Sequence, residues 1–493
     1  MRCITYLVAS SSLLFPFSQA SALDRRAALD ECLTKLNVPT FISSSANYTQ
    51  AIKPFNTRVT FKPAAYAVPE TTQHVQDAVS CGASNGVRVT AKSGGHSYAS
   101  HGLGGEDGHL IVDMRNFNNV TVDPTAQTAA IGTGGRLGNV AMALYNQTKQ
   151  AISHGTCPGV GVGGLTLHGG YGLISRSKGL TLDNILEATV VLANSSVVTA
   201  SETQHPDLFW ALRGAGAAFG IVTSFKFKTF TAPESNIVFQ YYLTPANASH
   251  LSTILTALQD FSLNTQPQEL NMRFFLASFS SLSGVYFGTR ADFDKLIAPL
   301  LAQMGISTTR GTITTNTWLN TLTSFSNGPL AQAKEYNSHE TFFAKSLMPA
   351  RLSLEAITAL TTYWDTNARS NTRAWYLLID LHGGNSSAVS AVPADATAYS
   401  HRDAVFKMQF YDRTYGNVYT ESWTAFLNGW VQAIMDASPD AQDMGMYINY
   451  ADTSLASEEA HRRYWGRHYE RAVQVKRGWD PEGMFMGPQI VGR

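Results

Sequence analysis

The sequence predicts an α+β protein of two domains, and three observations carry that reading. Residues from about 60 to 232 form one glycine-rich block in which short Val/Ile runs alternate with helical spacing. From Asn236 the glycines thin out, and aromatic-rich strands alternate with amphipathic helices. The chain has 493 residues, more than one simple core organises.

In the first block the strand-like runs are Val87–Thr90, His109–Val112 and Thr189–Leu192. Between Thr72 and Ser84, Val75, Ala78 and Val79 recur at helical spacing, and after Gly134-Gly135 the residues Leu137, Val140, Ala141 and Leu144 share one face. This is the alternation of an α+β or α/β nucleotide-binding domain. In the second block, strands over Ile237–Leu243, Ala374–Leu381 and Phe406–Tyr411 alternate with helices over His250–Leu263, Asp292–Met304 and Ser353–Trp364. They predict an antiparallel sheet with helices on one side. The expected division is 23–232, 233–440, and a segment 441–493 that packs back on the first domain. That last segment carries one Tyr- and Arg-rich helix, Ser457–Lys476, and a Pro-Glu-Gly-Met-Phe turn.

Residues 1–22 read as a secretory signal: Arg2, an apolar stretch from Ile4 to Phe17, and a small-residue cleavage site at Ala20-Ser21-Ala22. Six Asn-x-Ser/Thr sequons, at Asn47, Asn119, Asn146, Asn194, Asn247 and Asn385, agree with a secreted, extracellular glycoprotein. Loss of the signal removes Cys3 and leaves three cysteines, so one thiol stays unpaired. Cys32 and Cys81 lie in ordinary amphipathic sequence and are the natural disulfide pair; Cys157, set among glycines, is left over.

Lysine plus arginine and aspartate plus glutamate both number 36, and no basic stripe exists, so nucleic acid is not an expected partner. No later segment is an apolar run of spanning length, so no membrane is expected. The thirteen histidines show no ligand spacing and the cysteines no paired clusters, so no metal is expected.

Three glycine clusters carry the chemistry. The first is Ser93-Gly94-Gly95-His96-Ser97, after a strand; it lacks the Gly-x-Gly-x-x-Gly fingerprint and a following helix. The second runs through Cys157 from Gly155 to Gly172, with eight glycines. The third is Arg213-Gly214-Ala215-Gly216, leading to Gly220-Ile221-Val222. So many glycines cost backbone entropy, and they make sense where backbone packs against a flat ring and its phosphates. An imidazole (His96) and a thiol (Cys157) in two such loops point to a flavin held by two covalent bonds.

These motifs, with Asp207-Leu208-Phe209-Trp210, Asn449-Tyr450-Ala451-Asp452 and the Asp480-Pro481-Glu482 tail, resemble the berberine bridge enzyme-like branch of the vanillyl-alcohol oxidase family. Within it the chain is most similar to the fungal gluco- and chitooligosaccharide oxidases. The resemblance implies the two-domain vanillyl-alcohol oxidase fold, with an FAD-binding α+β domain and a substrate domain. It implies FAD bonded through His96 and Cys157 and cradled by Ser93, Gly94, Gly95, Ser97, Gly163, Gly164, Gly170, Gly220, Ile221, Val222 and Asn449. Tyr450 becomes the base for an alcohol hydroxyl while hydride leaves for the flavin N5, and Asp380 lowers the phenol's pKa or takes its proton. Tyr98 and Gln409 become sugar contacts; Trp375 and Tyr376 are candidate stacking faces. O2 is the expected acceptor, giving H2O2, and a monomer is expected.

The chain departs from that pattern at two substrate positions. Phe275 and Leu378 stand where the carbohydrate oxidases carry glutamate and glutamine. A site that has lost a hydroxyl's hydrogen-bond partner discriminates strongly against that hydroxyl. Two enzyme readings therefore stay open: oxidation of the C1 hydroxyl of a reducing oligosaccharide to a lactone, or oxidation or cyclisation of a less polar secondary-metabolite alcohol. A binding protein that has lost turnover is disfavoured by the presence of both Tyr450 and Asp380.

Overall fold

The two blocks of this chain build separate sheets. A computed structural model describes residues 22–492 apart from Ile42, Ser45, Asn327, Tyr336 and Asn417. The expected signal segment lies almost wholly outside the described residues.

The first block builds two sheets. A small parallel sheet places Leu110–Asp113 between Ala65–Ala67 and Val89–Lys92, backed by the helix Thr72–Ser84. Val75, Ala78 and Val79 of that helix are fully buried against Val89 and Leu110, as their spacing requires. A five-stranded antiparallel sheet follows, in the order Val120–Asp123, Thr128–Gly132, Ile221–Lys228, Ile185–Val191, Val197–Ser201. The helix expected after Gly134-Gly135 runs from Leu137 to Thr148.

The second block forms a seven-stranded antiparallel sheet. Its order is Gly311–Asn316, Asn236–Leu243, Ser280–Tyr286, Leu270–Leu276, Ala374–Leu381, Phe406–Thr414, Thr341–Leu347. Strand side chains alternate between faces. Met272, Phe274, Leu377, Ile379, Met408 and Phe410 point to one face and meet Leu255, Leu258, Leu360 and Trp430 from three helices. Each such side chain contributes about 1.5–3 kcal/mol on burial. The intervening residues, Arg273, Phe275, Tyr376, Leu378, Asp380, Lys407, Gln409 and Tyr411, face the first block. One strand therefore serves the core with its even positions and the site with its odd ones, or the reverse.

Buried polar contacts lock the parts together. Asn271 donates to the Tyr171 hydroxyl at 3.0 Å, and Tyr171 donates to the carbonyl of Leu381 at 3.0 Å. The C-terminal segment is tied to the large sheet by the Lys345–Asp452 pair at 2.5 Å. It is tied to the first block by Lys476, which pairs with Asp480 at 2.7 Å and donates to the carbonyls of Ala218 and Phe485. The single helix expected over Ser457–Lys476 is two, Ser457–Trp465 and Tyr469–Trp479. Gly466 between them adopts φ +48°, which ends the first helix and lets the second leave at a new angle.

Cys32 and Cys81 are joined, linking the helix Ala22–Lys35 to the helix Thr72–Ser84 across 49 residues. Closing a loop of this size restricts the unfolded chain. The Cys32→Ser/Cys81→Ser double variant is expected to lose about 2–4 kcal/mol, read as a lower urea midpoint. An unchanged midpoint would show that the native helices already enforce the geometry.

Candidate active site

Between the first block and the site face of the large sheet lies a cavity of about 940 Å³. The Ser93–Ser97 loop and the Gly155–Gly164 segment form one end. The strand Val89–Lys92 leads into the first, with Gly95 at φ +67° turning the chain back. The two loops cross so closely that a Cβ on Gly161 would lie 2.1 Å from the amide nitrogen of Gly94. Arg136, itself buried, clamps the crossing by donating from Nη1 to the carbonyls of Gly94 (2.9 Å) and Gly159 (2.7 Å). The Ser93 hydroxyl donates to the carbonyl of Thr133 at 2.6 Å and accepts from Gly163 N–H at 3.2 Å, so it fastens the loop.

His96 and Cys157 meet in this wall, with Sγ 3.7 Å from Nε2. The His96 ring is held by Phe55, stacked at 3.7 Å between centroids. Burial pushes the His96 pKa down to about 4, so the ring is neutral at ordinary pH. Burial pushes the Cys157 thiol up, so it is not a preformed thiolate.

At the other end, cross-strand register assembles a charged row. Asp380 is the partner of Arg273 on one side and of Lys407 on the other. Lys407 donates to Asp380 Oδ2 at 2.5 Å and to the Tyr450 hydroxyl at 2.9 Å; Arg273 Nε donates to Asp380 Oδ1 at 3.1 Å. The Lys407 ammonium also lies 4.5 Å from the Tyr450 ring centroid and 5.2 Å from that of Tyr171. Burial alone would raise the Asp380 carboxyl, but Arg273 and Lys407 hold it below its usual range. Burial alone would lower Lys407, but Asp380 and then Tyr450 hold it above its usual range. Burial raises the neighbouring Tyr447 and Tyr171 phenols, which stay neutral.

The expected direct partnership of Asp380 with Tyr450 is thus replaced by a relay. Asp380 spends its hydrogen bonds on two cations, and Lys407 is what touches the phenol. Lys407 and Arg273 escaped the sequence reading because a lysine and an arginine inside strands read as solvated edges. Strand alternation from Gln409 back to Lys407, and from Phe275 back to Arg273, was the signal that placed them on the site face.

The substrate-side residues line the same cavity. Gln409 Nε2 donates to the Tyr98 hydroxyl at 2.8 Å, and the Tyr98 ring stacks on Tyr450 at 5.6 Å. Phe275, Leu378 and Gln409 are successive cross-strand partners. Phe275 lies 5.4 Å from Tyr376 and 5.3 Å from the exposed Phe279, giving an apolar face that runs outward from the site. Trp375 does not join it. Its neighbour in sequence, Tyr376, takes the site face, so Trp375 is buried on the other side against Phe426 and Trp430.

Gly94, Gly95, Ser97, Gly163, Gly164, Gly220, Val222 and Asn449 border the cavity as well. A Cβ on Gly164 would meet nothing within 4 Å, so this backbone opens onto free volume. Asn449 braces the site by donating to the Tyr447 hydroxyl at 3.0 Å. Two expected residues lie elsewhere. The Ile221 side chain packs into the small core under the parallel sheet. Gly170 does not border the cavity; at φ +86° it donates its N–H to the Tyr447 hydroxyl at 2.9 Å and presses on Thr181.

Comparison with known proteins agrees with this architecture. The FAD binding domain family matches residues 63–201, and the berberine and berberine-like family matches residues 446–492. A xylooligosaccharide oxidase of Thermothelomyces thermophilus is 42% identical over 100% of this chain and 99% of its own. The solved xylooligosaccharide oxidase from Myceliophthora thermophila C1, in complex with xylobiose, superposes with a TM-score of 0.91 at 43% identity, covering 94% of this chain and 99% of that one. A solved glucooligosaccharide oxidase from Acremonium strictum, described with a 6-S-cysteinyl, 8α-N1-histidyl FAD, gives a TM-score of 0.90 at 40% identity, with 94% and 99% covered. With its vanillyl-alcohol oxidase-type fold, its two-ended cavity and relatives matched over their whole length, the chain belongs to the berberine bridge enzyme-like family of FAD-linked oxidoreductases.

Proposed function

We propose that the protein oxidises the C1 hydroxyl of a reducing oligosaccharide to the lactone, with covalently held FAD and with O2 reduced to H2O2. The observation that carries this reading is the Asp380–Lys407–Tyr450 relay set beside the Tyr98–Gln409 pair in one cavity with His96 and Cys157. The cavity fits the cofactor: two glycine loops cross at its end, Gly164 opens onto free volume, and both candidate linking atoms face the same wall. His96 and Cys157 would hold the ring, and the backbone of Ser93–Ser97 the pyrophosphate. When bound, FAD supplies the two-electron acceptor that no side chain here can provide.

The chain's own residues manage the proton. Tyr450 takes the proton of the C1 hydroxyl. A free phenol with a pKa of about 10 is a poor base at neutral pH. Here Arg273, Asp380 and Lys407 together carry one net positive charge, and its nearest cation donates to the phenol oxygen. To take the C1 hydroxyl proton, Tyr450 must first have given its own phenolic proton to solvent. The phenolate so formed, which the substrate proton then converts back to the phenol, would neutralise that net charge. Gln409 fixes Tyr98, and the two present an amide and a hydroxyl to the sugar. The Phe275–Phe279–Tyr376 face suits the apolar face of a sugar ring. The same face, with Leu378, supports the alternative of a less polar alcohol. Action outside the cell is supported by the exposure of all six sequon asparagines.

Two outcomes test this. Peroxide release from a panel of cello-, xylo-, malto- and chitooligosaccharides and of aromatic alcohols is the first measurement. Sugars are expected to turn over, and Tyr450→Phe to lower kcat about 10²–10⁴-fold while the protein stays yellow. Turnover of aromatic alcohols alone would transfer the assignment to the less polar substrates.

The second is pH dependence. Asp380 is held below its usual value of about 3.9 and Lys407 above its usual value of about 10.4. The depressed carboxyl stabilises the fold above its unfolded pKa and loses that only as pH falls through the folded one. The raised ammonium stabilises below its unfolded pKa and loses that as pH rises through the folded one. Neither contributes a limb to the kcat profile between about pH 4 and 10. Asp380→Asn removes the anion that holds Lys407 charged, so its profile is expected to gain an alkaline loss of kcat. A profile parallel to the parent's would show that Asp380 does not support the relay.

A further inference from the structure

Next to the Phe275–Tyr376 face, beyond Tyr411, stands an acidic side chain that neither the cofactor nor the proton relay uses. Glu340 precedes the edge strand Thr341–Leu347 and lines the cavity with Tyr411 and Arg413. Its backbone is pinned on both sides: its N–H donates to the carbonyl of Phe55 at 2.8 Å, and its carbonyl accepts from Thr57 N–H at 2.9 Å. Phe55 is the residue stacked on His96, so the segment that seats the imidazole also seats Glu340.

The carboxylate is held by one oxygen. Oε2 accepts from the Tyr411 hydroxyl at 2.7 Å and from Arg413 Nη1 at 3.1 Å. The Tyr411 ring is fixed between Phe342 at 4.5 Å and Tyr376 at 4.7 Å, both stacked. Oε1 has no donor among the described residues, and the side chain is one-third exposed at 33%. A carboxylate whose orientation is set by two donors on one oxygen presents the other as a preoriented, charged acceptor. A sugar hydroxyl is the donor such an acceptor takes.

We infer that Glu340 is a specificity-determining residue whose Oε1 accepts a hydrogen bond from a substrate hydroxyl remote from the oxidised carbon. This rests on the oligosaccharide reading above. It places a polar contact beside the Tyr376–Tyr411 stack, on the far side of that stack from Phe275.

Glu340→Gln tests it well. The amide oxygen can keep the two donors at the Oε2 position, which turns the NH2 to the cavity and removes the charge. For xylobiose, cellobiose and chitobiose, kcat/KM of the best substrate is expected to fall about tenfold or more, mostly through KM. One deoxy analogue of that substrate is expected to lose about tenfold with the parent enzyme and to lose nothing further with Glu340→Gln. Flavin absorbance and thermal midpoint check that the variant is folded. Should it not fold, Tyr411→Phe, which removes one orienting donor, is expected to raise KM two- to fivefold. An unchanged KM in a folded, yellow Glu340→Gln enzyme, or additive losses with every deoxy sugar, overturns the assignment and leaves the oligosaccharide reading standing. A parent enzyme inert on all sugars overturns both.

Discussion

The site depends on one carboxylate, Asp380, held between two cations in the middle of the large sheet. An isolated buried charge is very costly, and a pair offsets that cost only with good geometry. Here the geometry comes from strand register, which sets Arg273, Asp380 and Lys407 side by side on three adjacent strands. Slipping any of these strands by one residue would turn its charge into the helix-packed core. The charged row and the hydrophobic face therefore specify each other's register. Tyr450 then needs only to reach Lys407, which it does from a short turn, Ile448–Tyr450, of the C-terminal segment.

That dependence explains why the C-terminal segment is bound so heavily. The Lys345–Asp452 pair lies two residues beyond Tyr450, and the Asp452 N–H donates to the Tyr464 hydroxyl oxygen at 2.9 Å. A tyrosine on an unsupported turn would sample many positions; these contacts fix its distance to the ammonium. The same logic applies at the other end, where Arg136 and Ser93 hold two glycine loops that have little side-chain packing of their own.

The sequence made the elements legible where periodicity was strong, as in Thr72–Ser84 and Ala374–Leu381, and it blurred ends and breaks. Gly466 looks like any helical glycine until its φ of +48° is known. The glycine loops pointed to a cofactor because their composition has few other uses. Lys407 and Arg273 were harder, since their charge argues for solvent and only register shows that Asp380 lies between them. Trp375 and Tyr376 make the same point from the other side: adjacent aromatics look alike in sequence, and strand alternation sends one to the core and one to the cavity. Gly170 and Ile221 sit in glycine-rich stretches whose neighbours border the cavity, so motif membership alone did not separate lining from support.

The apolar pair Phe275 and Leu378 argues less against a sugar than it does when read alone. A sugar ring has an apolar face and a polar rim, and a pocket needs surfaces for both. Phe275, with Tyr376 and Phe279, offers the first. The polar groups Gln409, Tyr98, Tyr411, Arg413 and Glu340 line the same cavity. The register keeps these functions apart: Leu378 is the cross-strand partner of Gln409, and Tyr376 of Tyr411, so stacking and hydrogen bonding sit on neighbouring strands. Apolar side chains at Phe275 and Leu378 leave these polar groups in place, so they bear on which edge of a sugar would be read and do not by themselves exclude one.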